Sequence, residues 1–192
     1  MDRNLGATQA ATSYDDYLAY GDLYQWGRAP DGHQLITWTS STAGTPACST
    51  TSTNSDTPAN CLFITEGSSP YDWRVNPSDT LWADSSSTNT PCPVGWHVPL
   101  QTEWATAIDD LSLTACSSGC FNALANSTLK LPTVGTRFYS DGELYNQTIN
   151  GGYWSSSPYS TTAYYLTFYD TGIDPAGSFK RALGFPVRCL KD

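Results

Sequence analysis

GGYWSSSPYSTTAYYLTFYD (residues 151–170) and RALGFPVRCLKD (residues 181–192) decide how this chain is read. Successive side chains on a strand point to opposite faces. Over residues 163–169 that rule puts Tyr164, Leu166 and Phe168 on one face, the expected core side, and Tyr165, Thr167 and Tyr169 on the other. Tyr, Ser, Thr and Asp fill the rest of the segment, which is the chemistry of a recognition surface: rigid amphipathic rings beside adaptable hydroxyls. The competing reading is a half-exposed strand rich in Tyr and Thr because both favour strands. The candidate contact residues are Tyr159, Ser160, Thr161, Tyr165, Thr167, Tyr169, Asp170, Ile173, Asp174 and Phe179. Their rings would supply buried area, the hydroxyls directional hydrogen bonds, and the two carboxylates a preference for basic or hydroxyl-rich partners.

Working outward, short strands are expected at 129–131, 136–139, 153–156, 163–169 and 185–190, with turns at Gly135, Asp141-Gly142, Gly151-Gly152, Gly172 and Gly184. A helix is expected over 102–113. Trp104, Ala107, Ile108 and Leu111 fall on one stripe, Thr102 is the candidate cap, and Glu103 suits the first turn. A second helix is expected within 14–28, with Tyr17, Tyr20 and Tyr24 on one face, although Gly21 interrupts it. Residues 40–60 read as an exposed Ser/Thr/Pro-rich loop. Residues 66–91 read as an irregular stretch anchored by Trp73 and Trp82.

Composition agrees with a loop-rich domain of short strands. Only 14% of the 192 residues are charged, while 13% are aromatic, including 7 Trp and 12 Tyr. The net charge of −9 would repel a polyanion, which argues against nucleic-acid binding. No apolar run reaches transmembrane length and no signal peptide follows Met1. The 6 cysteines point to an oxidising compartment. Spacing alone does not choose a connectivity. The preferred set is Cys48–Cys61, Cys92–Cys189 and Cys116–Cys120, in which the first and third close short loops and the second ties the chain's middle to its end. Zinc is the rival, but no His or second Cys pair completes a four-ligand site beside Cys116 and Cys120.

Taken together, MDRNLGA (1–7), YGDLYQWGR (20–28), DGHQ (31–34), YDWR (71–74), PCPVGWHVP (91–99), TEW (102–104), GGYWSSSP (151–158) and GFPVRCLKD (184–192) resemble the Fibrobacter succinogenes major paralogous domain family, in the family's order and across essentially the whole chain. That family is similar to the C-type lectin fold, as are formylglycine-generating enzymes and the variable proteins of diversity-generating retroelements. The resemblance implies an α+β, disulfide-stapled domain over 1–192 with two helices, small antiparallel sheets and long irregular loops. It also implies adjacent first and last strands and a Cys92–Cys189 pair. Two departures stand out. MDRNLGA, usually internal in the family, begins this chain, so an upstream segment such as an anchor or pilin-like piece is expected to be missing. Leu100 stands where relatives often carry Thr, so no capping box is expected before α-helical residues 102–113.

Catalysis finds no constellation. The only histidines are His33 and His97, the latter expected to be packed, and Ser155, Ser156 and Ser157 lack a nucleophile-elbow context. The lectin sugar-site motifs Glu-Pro-Asn and Gln-Pro-Asp are absent. Asp79 and Asp84 are the candidates for a structural calcium, the one cofactor entertained. Asn126 and Asn146 fit a glycosylation pattern and are read as coincidence. The expectation is a non-enzymatic extracellular or cell-surface receptor or adhesin, its binding surface a candidate for retroelement diversification. Its ligand would be a protein or glycan on another cell, virus or surface, and membranes would be met only through the missing anchor. The alternatives are a structural surface or pilus-associated module without a dedicated ligand and, behind it, a formylglycine-generating-like enzyme.

Overall fold

The computed structural model describes residues 1–48, 51–58 and 60–192. A 3-10 turn at Tyr17–Ala19 leads to β1 (Tyr24–Gln25), then to β2 (Ile36–Ser40) and β3 (Ala43–Pro46). The short strands β4 (Thr51–Ser52), β5 (Phe63–Ile64) and β6 (Trp96–His97) precede helices α1 (Gln101–Asp110) and α2 (Cys120–Asn126). After β7 (Thr136–Arg137) and β8 (Leu144–Tyr145) come the three longest strands, β9 (Gly151–Tyr159), β10 (Thr162–Tyr169) and β11 (Gly172–Lys180). The chain closes with β12 (Gly184–Phe185) and β13 (Leu190–Lys191). One sheet has the order β1-β12-β7-β8 and another the order β11-β10-β9. Three two-stranded pairs, β13-β6, β2-β3 and β4-β5, complete the set. All pairings are antiparallel except the parallel β4-β5 pair. The fold is therefore mixed α and β, with two helices, small and mainly antiparallel sheets and three disulfides.

Strands β9 and β10 of the β9-β10-β11 sheet are covered on both faces. On one, Tyr153, Leu166 and Phe168 pack with Trp104 and Ile108 of α1 and Phe121 and Leu124 of α2. On the other, Trp154 and Ala163 pack with Tyr24 and Phe185 of the four-stranded sheet and with Leu183 and Val187. Gly151 and Gly152 begin β9 because the rings of Phe168 and Phe185 occupy the space any Cβ would need. Double coverage holds for β9 and β10 and leaves their ends in solvent, while the edge strand β11 also exposes Asp174, Ala176 and Ser178 along its length.

Strict alternation along β10 fails at two irregularities. The register slips between Ala163 and Tyr165 against β9, and between Tyr165 and Thr167 against β11. A bulge inserts an unmatched residue and re-aims its neighbours. Tyr164, expected in the core, is half-buried and packs on Tyr159 instead, with ring centroids 4.8 Å apart. Tyr165, expected to face solvent, is also half-buried and stacks on Phe185 at 4.9 Å.

The 14–28 helix is not formed beyond its 3-10 turn. Gly21 adopts φ +69° against the Leu5 carbonyl, outside helical space and with no room for a side chain. Helix α1 starts at Gln101 rather than Thr102 and ends at Asp110. Its first turn is capped twice: Glu103 Oε2 accepts from Leu100 N at 2.7 Å, and Ser157 Oγ of β9 accepts from Gln101 N at 3.0 Å. Half of the capping box thus exists despite Leu100, and the missing hydroxyl comes from another strand. Residues 129–131 form no strand, since Lys130 lies at φ +51°. The 185–190 segment is split between β12 and β13. All three preferred disulfides are present. The two ends of the chain run together: the Met1 amine donates to the Cys189 carbonyl at 2.8 Å and Leu5 N to Val187 O at 3.0 Å.

Candidate functional site

Six of the ten candidate residues are exposed, and these divide between the two ends of the β9-β10-β11 sheet. Thr162 and Tyr169 bound β10 seven residues apart, about 23 Å at 3.3 Å per residue. At the β9–β10 hairpin, Tyr159, Ser160 and Thr161 are exposed, Tyr159 to 50%. At the β10–β11 turn, Tyr169 (also 50%), Asp170 and Asp174 are exposed. Between them Thr167 is 8% exposed and Tyr165 half-buried, so neither stands free on an open face as alternation predicted. Ile173 is half-buried against the helical core, and Phe179 half-buried against Tyr165 and Tyr139.

The β9–β10 tip is held from below. Arg181, 1% exposed, donates from Nη2 to Ser160 O at 3.0 Å and from Nε to Thr162 O at 3.0 Å. The same guanidinium bonds Asp79 Oδ1 at 2.5 Å and Ser78 O at 3.3 Å, lies 3.6 Å from Asp72 Oδ2, and sits 4.5 Å over the Trp26 ring. A planar fork of five donors suits this many-partner position. It fixes Ser160 at φ +52° and ties the hairpin to the 72–79 loop. At the other end, Asp170 O accepts from Cys120 N at 3.3 Å and its carboxylate from Phe121 N at 3.5 Å, which anchors the turn to α2. Asp174 Oδ1 accepts from Ala176 N at 2.8 Å.

The calcium candidates do not converge. Asp79 is bound to Arg181, while Asp84 Oδ1 accepts from the backbone and hydroxyl of Ser86 at 2.8 and 2.6 Å. Among the described residues no group of three His, Cys, Asp or Glu is placed to hold a metal ion.

Both histidines are engaged. His33 is fully buried. Gln25 N–H donates to its Nε2 at 3.1 Å, so its Nδ1 carries the proton and donates to Asp31 Oδ1 at 2.7 Å. Burial pushes its pKa down to about 4, against the opposing pull of Asp31. His97 faces Asp192 Oδ1 at 2.7 Å and Glu103 Oε2 at 3.1 Å beside a 290 Å³ cleft lined by Trp82, Asp84, Ser85 and Ser156. Partial burial disfavours its charge, but the two carboxylates outweigh that and hold its pKa above the ordinary value. Both nitrogens are thereby occupied in tying β6, α1 and the end of β13 together. Ser155, Ser156 and Ser157 lie within β9; Ser155 Oγ donates to Tyr164 O and Ser157 Oγ caps α1.

Residues outside the ten extend the aromatic surface. Tyr139 packs on Phe179 at 6.5 Å and on Phe138 at 4.4 Å, and Phe138 packs on Tyr145 at 5.5 Å. Tyr145 is 44% exposed. The Asp141-Gly142 turn flanked by aromatic residues was the available signal for this β7–β8 hairpin. Lys180 Nζ, 2.6 Å from Tyr139 Oη, lies 3.6 Å from the centre of the Tyr71 ring.

Comparison with protein-family models, with curated proteins and with solved structures gave no match. Among the described residues no helix is long and apolar enough to cross a membrane, and the disulfides suit a non-cytoplasmic setting.

Proposed function

We propose that this chain is a ligand-binding receptor or adhesin domain with a C-type-lectin-like fold, exposed outside the cell and displaying its contact residues at the two ends of the β9-β10-β11 sheet. Its partner would be a protein or glycan on another cell, virus or surface, and binding rather than catalysis its activity. The observation that carries this reading is the contrast within one sheet. The middles of β9 and β10 are closed on both faces by core, while Tyr159, Ser160, Thr161, Tyr169, Asp170 and Asp174 project near their ends. A rigid scaffold presenting Tyr, Ser, Thr and Asp in short turns is the arrangement recognition surfaces use. The resemblance to the retroelement-diversified proteins adds the idea that these end positions vary between copies of the gene.

The test has two arms. Sequencing residues 150–192 across the source population should find substitutions concentrated at the exposed end positions. Trp154, Leu166, Phe168 and Cys189 should be constant, and so should Tyr165 and Thr167. An invariant segment would remove diversification and leave a fixed module. In the second arm the intact protein is screened against surface proteins and glycans with and without calcium, beside Tyr159→Ala/Tyr169→Ala. Loss of capture by the double variant, with unchanged thermal unfolding, supports the receptor reading. Undiminished capture, or none by either protein, would favour a structural module.

A further inference from the structure

Residues 138–179 contain no Lys or Arg and four acids, Asp141, Glu143, Asp170 and Asp174, all of them exposed. The basic residues that bracket this stretch are already committed. Arg137 is buried, donating to the carbonyls of Gly142, His33 and Cys48, and Lys180 is held by Tyr139. Both are bonded to neutral acceptors, so their charges remain beside the β7–β8 hairpin, Arg137 within it and Lys180 against Tyr139, but the exposed charges of the hairpin itself, Asp141 and Glu143, are both negative.

At this hairpin lies a 280 Å³ cleft lined by Phe138, Asp141, Tyr145 and Asn146, formed where the hairpin meets the turn that follows it. Phe138 and Tyr145 meet edge to face, at an interplanar angle of 69°. Asp141 Oδ1 accepts from Glu143 N at 3.0 Å and Oδ2 from Tyr145 Oη–H at 3.1 Å. A carboxylate offers about four acceptor positions, so roughly two remain. The Tyr145 phenol is pushed above its ordinary pKa by its bond to Asp141, with Glu143 adding to the effect, so both acids act on this ring. The cleft is slightly smaller than the roughly 300–1,000 Å³ that encloses a drug-sized ligand, which suits one side chain.

We propose that this cleft receives an arginine side chain of a basic protein partner, its guanidinium plane against the Phe138 and Tyr145 rings and its N–H groups on the free lone pairs of Asp141. Arg fits better than Lys because its flat, weakly hydrated fork both stacks on rings and bonds a carboxylate. A saccharide is the less suited occupant, because Asp141, Asn146 and the already donating Tyr145 phenol are few partners for its several hydroxyls and the negative charge of Asp141 and Glu143 would go unused. The site is distinct from the sheet-end residues and is joined to Phe179 through Tyr139.

The isotopically labelled intact chain is titrated with acetyl-Gly-Arg-Gly-amide, with the same peptide carrying neutral citrulline, and with N-acetylglucosamine, while backbone amide shifts are followed by NMR. The arginine peptide should give saturable shifts at Gly142, Tyr145 and Asn146, and the citrulline peptide much weaker ones. Asp141→Asn keeps an acceptor for Glu143 N–H, so the hairpin survives, and should weaken the arginine peptide about two- to fivefold. Tyr159→Ala/Tyr169→Ala should bind it as the parent does, which separates this site from the sheet ends. Equal shifts from citrulline, shifts confined elsewhere, no saturable shift, or a response to the sugar alone would each overturn the proposal.

Discussion

The β9-β10-β11 sheet and the loops that surround it solve the same problem in different ways. In the sheet, backbone N–H and C=O groups pair with neighbouring strands, and alternate aromatic side chains fill two cores. The loops have no such ladder, yet their carbonyls are also buried and need donors. Buried arginines and indoles supply them. Arg28, Arg137, Arg181 and Arg188 are each no more than 4% exposed. Arg28 reaches Asn60 O; Arg137 reaches Gly142, His33 and Cys48; Arg181 reaches Ser78, Ser160 and Thr162; Arg188 reaches Met1, Leu129 and Lys130. Trp73 Nε1 donates to Trp26 O and Trp82 Nε1 to Asn89 O. The difference teaches that a guanidinium with five fixed donors can replace a strand partner where the chain is irregular, at the cost of burying a charge.

Arg181→Met offers the hardest test of that contrast. It leaves Asp72 buried without its countercharge and the hairpin carbonyls without donors. Breaking a buried pair this way costs about 3–5 kcal/mol, read from the shift in urea midpoint. Arg181→Lys should recover only part of it, because one ammonium does not span these partners. A cost below about 1 kcal/mol for the Met variant, within the range of an exposed ion pair, would show that the loops do not depend on this hub.

The next largest effect lies within the loops and is read by pH. Burial raises the Asp22 carboxyl to about 6, while it lowers His33 to about 4. A raised acid favours the fold while protonated, so the Asp22 contribution is present below pH 3.8 and is lost as pH rises through about 6. Neutral His33 works the other way: as pH falls from 6.5 towards 4 the unfolded chain takes a proton first, and stability drops. The two nearly cancel in the parent. Asp22→Asn should therefore stabilise by about 3 kcal/mol at pH 8 and by little at pH 3. It should also leave a stability that climbs with pH between 4 and 6.5. Denaturation curves at four pH values decide it, and an equal gain at every pH would rule the carboxyl out as its source.

Glycine exchanges give the smallest effect. Gly151→Ala and Gly152→Ala press a methyl group into Phe168 and Phe185 and should cost about 1–3 kcal/mol each. Gly67→Ala, in the loop between β5 and β6, has nothing within 4 Å of the new carbon and should be neutral or gain up to about 1 kcal/mol. Melting curves that rank Gly67 with the sheet glycines would break the contrast between the packed start of β9 and this open loop.

Much of this was legible where a local rule covers a whole element. The α1 stripe placed Trp104 and Ile108 in the core, and the expected loop anchors Trp73 and Trp82 are buried. For the candidate site, the exposed turns at 159–161 and 169–174 were legible from their Tyr, Ser, Thr and Asp content, whereas the burial of Tyr165 and Thr167 was not. Period-two reading assumes an unbroken ladder and one open face, and here the ladder slips twice and Phe185 covers the second face. The Phe138–Tyr145 cleft was missed because it forms where a hairpin of two-residue strands meets the turn that follows, and such strands are too short to show a period.

By itself, then, the sequence determined the Tyr-rich β9–β10 segment, the apolar stripe of α1 and the preference for the short-loop pairs Cys48–Cys61 and Cys116–Cys120, because each rests on residue spacing or type within a short window. Tertiary structure alone decided which aromatics reach solvent, how Ser157 caps a helix 56 residues away in sequence, and how Arg181 joins Asp79 to Ser160. Those outcomes depend on which segments arrive opposite one another. Burial and hydrogen bonding reward the assembled arrangement, and no window of sequence contains both partners.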